Sequence, residues 1–509
     1  MKSRAKTRTK QVVTLLTLGC FLFAGCAAPG TNEQVQGDAA GENQNRLYRV
    51  MPSNRTTNQW ENVYGVISHD GRMILPIENQ DVYIIEDSAT GEQLWIQNRK
   101  QIVEDPTLTA EELWEGDNWE KIHNEYTLYD LDGNLLKELG ENGVQRVCDN
   151  LVLYYNQQLI DRETGEVYFD DVHSINKAGD YYVLNVNNYN GARVIDKDMN
   201  IVYETDGGFI GINDQYYISA EIRQEDGKRL RGLYDLNGNE IIPCEYEYFY
   251  SGDIVDMPYV KAQKDNREFV ISLADGRIVY QESNVFPDYD YIQYLLKDCM
   301  IIQTRDTVAT AEKGGWPIYQ YSTAMYDYEG NIISDKYSYI SPQMGLYNIA
   351  LAEGKEAEML FSATRHDGTE LIINADEEVL FTLEKGWMTL LSENRLIIHV
   401  SDDNRAYLCD MAGNQINEKA YEYMNMMYME SADGIYGQSR LINASYTLAG
   451  KNLCDLVDMD GNILIERAKN IQALSPDRFW VEKGFSQGLM DAKGNWIYEE
   501  SVFRSAADE

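Results

Sequence analysis

The sequence predicts an all-β protein built by repeating one antiparallel hairpin. Three observations carry that prediction. A turn between short apolar runs returns along the whole chain, as in GLYDLNGNEIIP at 232–243. Tyrosine is abundant and proline scarce, 37 against 10 in 509 residues. The strand before the turn is apolar on both faces, as at Leu233 and Tyr234, so each small sheet has to be covered on both sides.

Taken in order, the turns fall at Gly71, Gly91, Gly133, Gly165, Gly238, Gly276, Gly330, Gly413, Gly461 and Gly494. The copy at Gly91, IIEDSATGEQLWI, is looser than the rest. VIDKDMNIVY and LIINADEEVLF keep the apolar flanks without the glycine. These twelve candidates have a mean spacing of about 38 residues, a period that points to a solenoid or a propeller. Asn-Gly and Asp-Gly supply the positive φ that a two-residue loop requires. With Asn237 and Gly238 as that loop, Leu233 faces Ile242 and Tyr234 faces Ile241. The spacers hold further strand-like runs, such as CEYEYFY and YVKAQK, giving about four strands per period, the content of one propeller blade. The expected architecture is therefore β-propeller blades, in one large ring or in two smaller rings divided near residue 284, with an open β superhelix as the alternative. Two stretches read as insertions. PTLTAEELWEGDNWEKIHNEY carries a capping box at Thr109 and Glu112 ahead of a polar helix, and a long segment runs from Ser283 to Tyr321.

The start of the chain follows different rules. Its first ten residues carry five positive charges and no negative one, and an apolar run of thirteen residues, Val12 to Ala24, follows. That run is too short to span a bilayer and has the basic front of an export signal. It ends in LFAGC, and the small pair Ala24-Gly25 before Cys26 resembles the lipobox of bacterial lipoproteins. The resemblance implies cleavage before Cys26 and lipidation of that residue, although Phe23 stands where leucine is usual. The polar stretch that follows cannot bury enough surface to fold and reads as a flexible tether. The expected division is a signal peptide at 1–25, a tether at 26–46, and two halves of β-repeats at 47–283 and 284–509.

YGVISHDGRMILP and RGLYDLNGNEIIPCEYEYF resemble the WG-containing repeat of many bacterial proteins, best over 64–79 and 231–250. Tyr64-Gly65 stands where Trp-Gly is usual, Arg231 replaces the aromatic in the second copy, and Gln487 does so in the last. That family is defined as a repeat, and the resemblance implies no catalytic activity.

Composition narrows the function. A net charge of −39 repels nucleic acid and anionic lipid headgroups. The acidity is spread along the chain and reads as a solvated surface, with a divalent cation or a basic partner as the alternatives. Cys148, Cys244, Cys299, Cys409 and Cys454 are far apart and form no CxxC pair, so they read as buried thiols. The five histidines have no metal-ligand spacing. The recurring aspartates Asp130, Asp161, Asp196, Asp235, Asp327, Asp410, Asp458 and Asp491 read as caps of their own turns, with a cation-gathering ring as the sharper alternative. No nucleophile elbow, phosphate-cradling loop or HExxH pattern is present. Trp114, Trp119, Trp316 and Trp387 lie outside the repeat hairpins and read as buried under the loops, with exposed contact residues for a protein or carbohydrate as the alternative. The expectation is a lipid-anchored protein of the extracytoplasmic membrane face. It would bind or scaffold an extracytoplasmic protein or glycan, with no catalytic residue, cofactor or metal. The alternatives are a carbohydrate-active enzyme using paired carboxylates, and an envelope-assembly factor.

Overall fold

Backbone pairing shows how the repeats are used. The computed structural model describes residues 46–51, 63–104, 122–186, 191–205, 209–212, 216–222, 229–235, 239–250, 258–281, 291–309, 318–344, 346–347, 358–402, 404–430 and 436–501. Among these residues the named elements are 41 strands, joined antiparallel into ten hydrogen-bonded sheets. The seven-stranded sheet divides at the strand Ile332–Pro342, whose first half pairs with Ile318–Tyr326 and whose second half pairs with Phe361–Arg365. The described chain thus holds eleven blades: 47–79, 81–140, 144–169, 172–205, 209–246, 248–281, 291–337, 337–383, 387–421, 423–468 and 470–501. They are numbered 1 to 11 below.

Each blade ends in the repeat hairpin, and its turn is chemically local. In blade 10 the Gly461 N–H donates to the Asp458 carbonyl at 3.1 Å, and the Asp458 N–H donates to the Asn462 carbonyl at 3.0 Å. Three residues lie in the loop, with Gly461 at φ +82°, so the turn is a three-residue type with a left-handed glycine. This corrects the two-residue loop expected from sequence. In blade 5 the loop at 236–238 lies outside the described residues, but the strands beside it show the same register. Leu233 does face Ile242, whereas Tyr234 faces Glu240 and not Ile241, as an extra loop residue that bulges the returning strand requires. The repeated aspartate holds the turn together. Asp458 Oδ1 accepts the N–H groups of Asp460 and Asn462 at 2.9 and 2.8 Å, and its Oδ2 accepts from Asn462 Nδ2 at 2.9 Å. Asp130, Asp327, Asp410 and Asp491 make the same set of bonds.

The strand before the closing hairpin carries apolar residues on both faces, and these pack against the blades on either side. In blade 1, Val66 joins a core with Val82 and Ile96 of blade 2, while its neighbour Ile67 joins Trp480 and Leu489 of blade 11. Leu408 packs with Val457 between blades 9 and 10, and Cys454 with Val481 between blades 10 and 11. The turn glycines add a second inter-blade contact. Gly133 of blade 2 sits on Ile74 of blade 1, so that a Cβ there would lie 2.8 Å from the Ile74 carbonyl oxygen, and Gly494 of blade 11 sits equivalently on Leu464 of blade 10 at 2.7 Å.

The same contacts join the two ends of the described chain. Gly71 of blade 1 sits on Ile497 of blade 11, with a Cβ there 2.8 Å from the Ile497 side chain. Arg395 of blade 9 donates from Nε to the Met459 carbonyl of blade 10 at 2.7 Å. Arg478 of blade 11 repeats this bond to the His69 carbonyl of blade 1 at 3.0 Å, across 409 positions of sequence. Tyr48 and Val50 complete the shared core of Ile67, Trp480 and Leu489. An open superhelix has no such seam, so the blades form one closed β-propeller ring. Packing also continues across the position near residue 284. Lys261 Nζ donates to the Ile292 carbonyl at 2.7 Å, and Val270 shares a core with Ile292.

Three sequence readings change. The Gly91 copy joins the first two strands of blade 2, with Ile85 opposite Trp95, and is not an end-of-blade hairpin; removing it takes twelve candidates to eleven blades. Ile122–Tyr129, at the end of the expected helical insertion, is a strand of blade 2, while 105–121 lies outside the described residues. Part of the second expected insertion is also sheet, since Tyr291–Leu295, Met300–Ala309 and the start of Ile318–Tyr326 are strands of blade 7, while 283–290 and 310–317 lie outside the described residues.

Candidate functional site

Strand direction alternates within a blade, so all end-of-blade turns share one face of the ring. The opposite face carries the starts of the first and third strands, and there side chains stack aromatic rings against cations. Arg49 lies over the Tyr64 ring at 3.8 Å, Arg231 over Tyr248 at 4.6 Å, and Arg193 over Phe169 at 5.5 Å. Asp81 ties Arg49 and Arg99 together and accepts the Tyr83 hydroxyl. A cavity of about 460 Å³ opens on this face between blades 5 and 6, lined by Glu245, Tyr246, Lys264 and Arg267 among others. Its Glu245 is paired with Lys264 at 2.7 Å.

The boundary of blades 9 and 10 concentrates this chemistry. Gly386, at φ +116°, precedes Trp387, and a Cβ there would collide with the His399 carbonyl oxygen. The glycine lets Trp387 pair directly opposite His399 across two strands. Their rings stack 3.5 Å apart and 8° from parallel. His399 Nε2 bonds the Met424 carbonyl at 3.1 Å and so carries the proton on that nitrogen. Burial pushes the His399 pKa down, which keeps the imidazole neutral at neutral pH. Tyr423 of blade 10 stands beside the pair, its ring centre 6.2 Å from that of Trp387. His399 is only 6% exposed, but Trp387 is 45% and Tyr423 48% exposed.

In blade 10, on the strand that pairs Asp455 opposite Ala444, the Asp455 carboxylate is 1% exposed. Four donors saturate its carboxylate: Lys419 Nζ at 2.7 Å, Tyr421 OH at 3.1 Å, Tyr446 OH at 3.0 Å and the Arg467 N–H at 2.8 Å. Lys419 also lies 3.1 Å from the Tyr446 ring centre. Burial and the adjacent Asp455 charge push the Tyr446 hydroxyl up to about 12. With every lone pair engaged, Asp455 positions neighbours and has no site left for a proton from a substrate.

Of the residues singled out from sequence, Trp387 alone among the four tryptophans is described, and it is exposed. Trp114, Trp119, Trp316 and Cys26 lie outside the described residues. The five cysteines are free; Cys148, Cys299, Cys409 and Cys454 are buried and Cys244 half-buried. Among the described residues no group of three or more His, Cys, Asp or Glu is placed to hold a metal ion. Sequence reasoning missed His399, Tyr423, Asp455 and Lys419. The only local signal was Gly386-Trp387 at a strand start, since the partners lie on other strands.

Fold and site define a β-propeller repeat protein with an aromatic, cation-stacked face. Residues 404–509, which span the end of blade 9 and blades 10 and 11, match a family described as "Domain of unknown function (DUF5046)". No curated protein matches the chain. Among solved structures, the chain is similar to BamB from Moraxella catarrhalis at 12% identity, covering 55% of this chain and 88% of that one with a TM-score of 0.24. A eukaryotic initiation factor is similar at 8% identity, covering 68% and 93% with a TM-score of 0.34. The Dos1 propeller is similar at 8% identity, covering 63% and 89% with a TM-score of 0.26.

Proposed function

We propose that this chain is a lipid-anchored scaffold of the cell envelope, tethered through Cys26, whose ring binds an extracytoplasmic protein or glycan without a catalytic step. The observation that carries the reading is the exposed Trp387–Tyr423 shelf on a rigid closed ring. Exposed large aromatics held in fixed orientation bind partners at low entropic cost. The saturated state of Asp455 supports binding over acid-base chemistry at this site. Two experiments test the proposal. Immobilised full chain should retain a protein from envelope extract or a glycan from an array, saturably and in competition with free chain; the absence of any saturable binder refutes the binding role. Cys26→Ala should release the protein from membranes, and unchanged membrane attachment refutes the anchor. Hydrolysis of wall polymers by the purified chain would favour the carbohydrate-active alternative instead.

A further inference from the structure

We infer that the cavity of about 460 Å³ between blades 5 and 6 binds a small organic monocarboxylate with an apolar tail, a role separate from the scaffold reading. The backbone sets the site up. Tyr259–Lys264 and Arg267–Ser272 are joined by Asp265 and Asn266, at φ +50° and +58°. A two-residue turn of that kind fixes the register of a tight hairpin. Lys264 and Arg267 therefore stand directly opposite each other, on one face of the sheet and with Cβ atoms about 5 Å apart. That face looks at blade 5, because Phe269, two residues beyond Arg267, packs on Tyr246 with ring centres 5.8 Å apart. Like charges held opposite each other in this way cost stability unless an anion offsets them.

The second observation is that the chain offsets only one of the two cations. Glu245 pairs with Lys264 at 2.7 Å. Arg267, half-buried in the cavity lining, has no hydrogen bond or ion pair among the described residues. Asp265 lines the cavity as well, but it is exposed at the turn and forms no ion pair with Arg267. Elsewhere a chain with 83 acidic residues against 44 basic ones supplies the partner: Arg49, Arg193, Arg395 and Arg478 each hold a carboxylate within 3.2 Å. The rest of the lining describes the rest of the ligand. Tyr246 and Phe269, both buried, form an aromatic wall, and Ile278, 45% exposed, gives an apolar lip. The volume falls in the range of small-molecule sites. Net charge selects among anions, since a chain at −39 repels a dianion about twice as strongly as a single carboxylate.

The test uses the purified full chain at about 150 mM salt, where distant charges are screened. The probes are 3-phenylpropionate, its amide, acetate and phenyl phosphate, each titrated by ligand-observed NMR. 3-Phenylpropionate should bind saturably with a Kd of about 5 mM or tighter, and the other three about tenfold more weakly or worse. Arg267→Met keeps the apolar stem and removes the charge, so the preference for acid over amide should fall below about threefold. Arg72→Met, which removes an exposed arginine of blade 1, should leave that preference unchanged. Arg267→Met also carries a readout that needs no ligand. Relieving Lys264 of its like-charged neighbour should leave the urea midpoint unchanged or raised, whereas loss of a structural arginine would lower it. The inference is overturned if 3-phenylpropionate does not saturate, or if the amide, acetate or phenyl phosphate binds as tightly. An acid preference that survives Arg267→Met, or a lowered midpoint in that variant, overturns it too. None of these outcomes bears on the scaffold reading, which has its own tests.

Discussion

Truncating Ile67 probes the seam that closes the ring. Ile67 is fully buried between blades 1 and 11, against Tyr48, Val50, Trp480 and Leu489. Replacing it with alanine removes three carbon groups, about 2.4 kcal/mol of transfer free energy, and leaves a cavity, for a total of about 3–4 kcal/mol. Leu489→Ala, from the last blade, should cost a similar amount. These residues are roughly 420 positions apart along the chain, so the ring seam alone makes them neighbours, and a double-mutant cycle should return a coupling of about 0.5–3 kcal/mol. The assay is urea unfolding followed by tryptophan fluorescence, to which Trp480 in the seam contributes as one of eight tryptophans. Single costs below about 1 kcal/mol, with the double variant additive within about 0.3 kcal/mol, would refute the closed ring.

Three further outcomes follow from the described contacts. His69 and His399 both have pKa values pushed below 6.5, His69 by burial and then by Arg478, His399 by burial. The folded state therefore favours neutral imidazole: that stability is fully present above about 6.5 and is lost as the pH falls through the lowered values, so unfolding midpoints should drop as the pH falls below about 6.5, and less steeply in His399→Gln. Asp455→Ala should cost about 3–5 kcal/mol in urea unfolding, because it strands Lys419 and two tyrosine hydroxyls without their acceptor; a cost under about 1 kcal/mol would contradict the saturated network. Burial pushes the thiols of Cys148, Cys299, Cys409 and Cys454 up to about 11, so in native protein at pH 8 iodoacetamide should modify half-buried Cys244 before these four, as read by peptide mass mapping.

The sequence by itself determined what is local. An aspartate that caps its own turn, a glycine that takes positive φ and an apolar strand on each side lie within a dozen residues, so the hairpin at Gly461 could be read directly. Two-sided apolarity also required each sheet to be covered on both faces, which is why the blade architecture was legible. The blade count and the closure were not. The Gly91 stretch has the same turn grammar as the true end-of-blade hairpins, and only its pairing of Ile85 with Trp95 reveals a different place in the blade. The seam, with Arg478 bonded to the His69 carbonyl, joins residues whose relation depends on the summed twist of all the blades between them. The candidate site is decided in the same way. Trp387, His399 and Tyr423 come from three strands in two blades, and what makes them a shelf is the angle at which those blades pack, a quantity no short stretch of sequence contains.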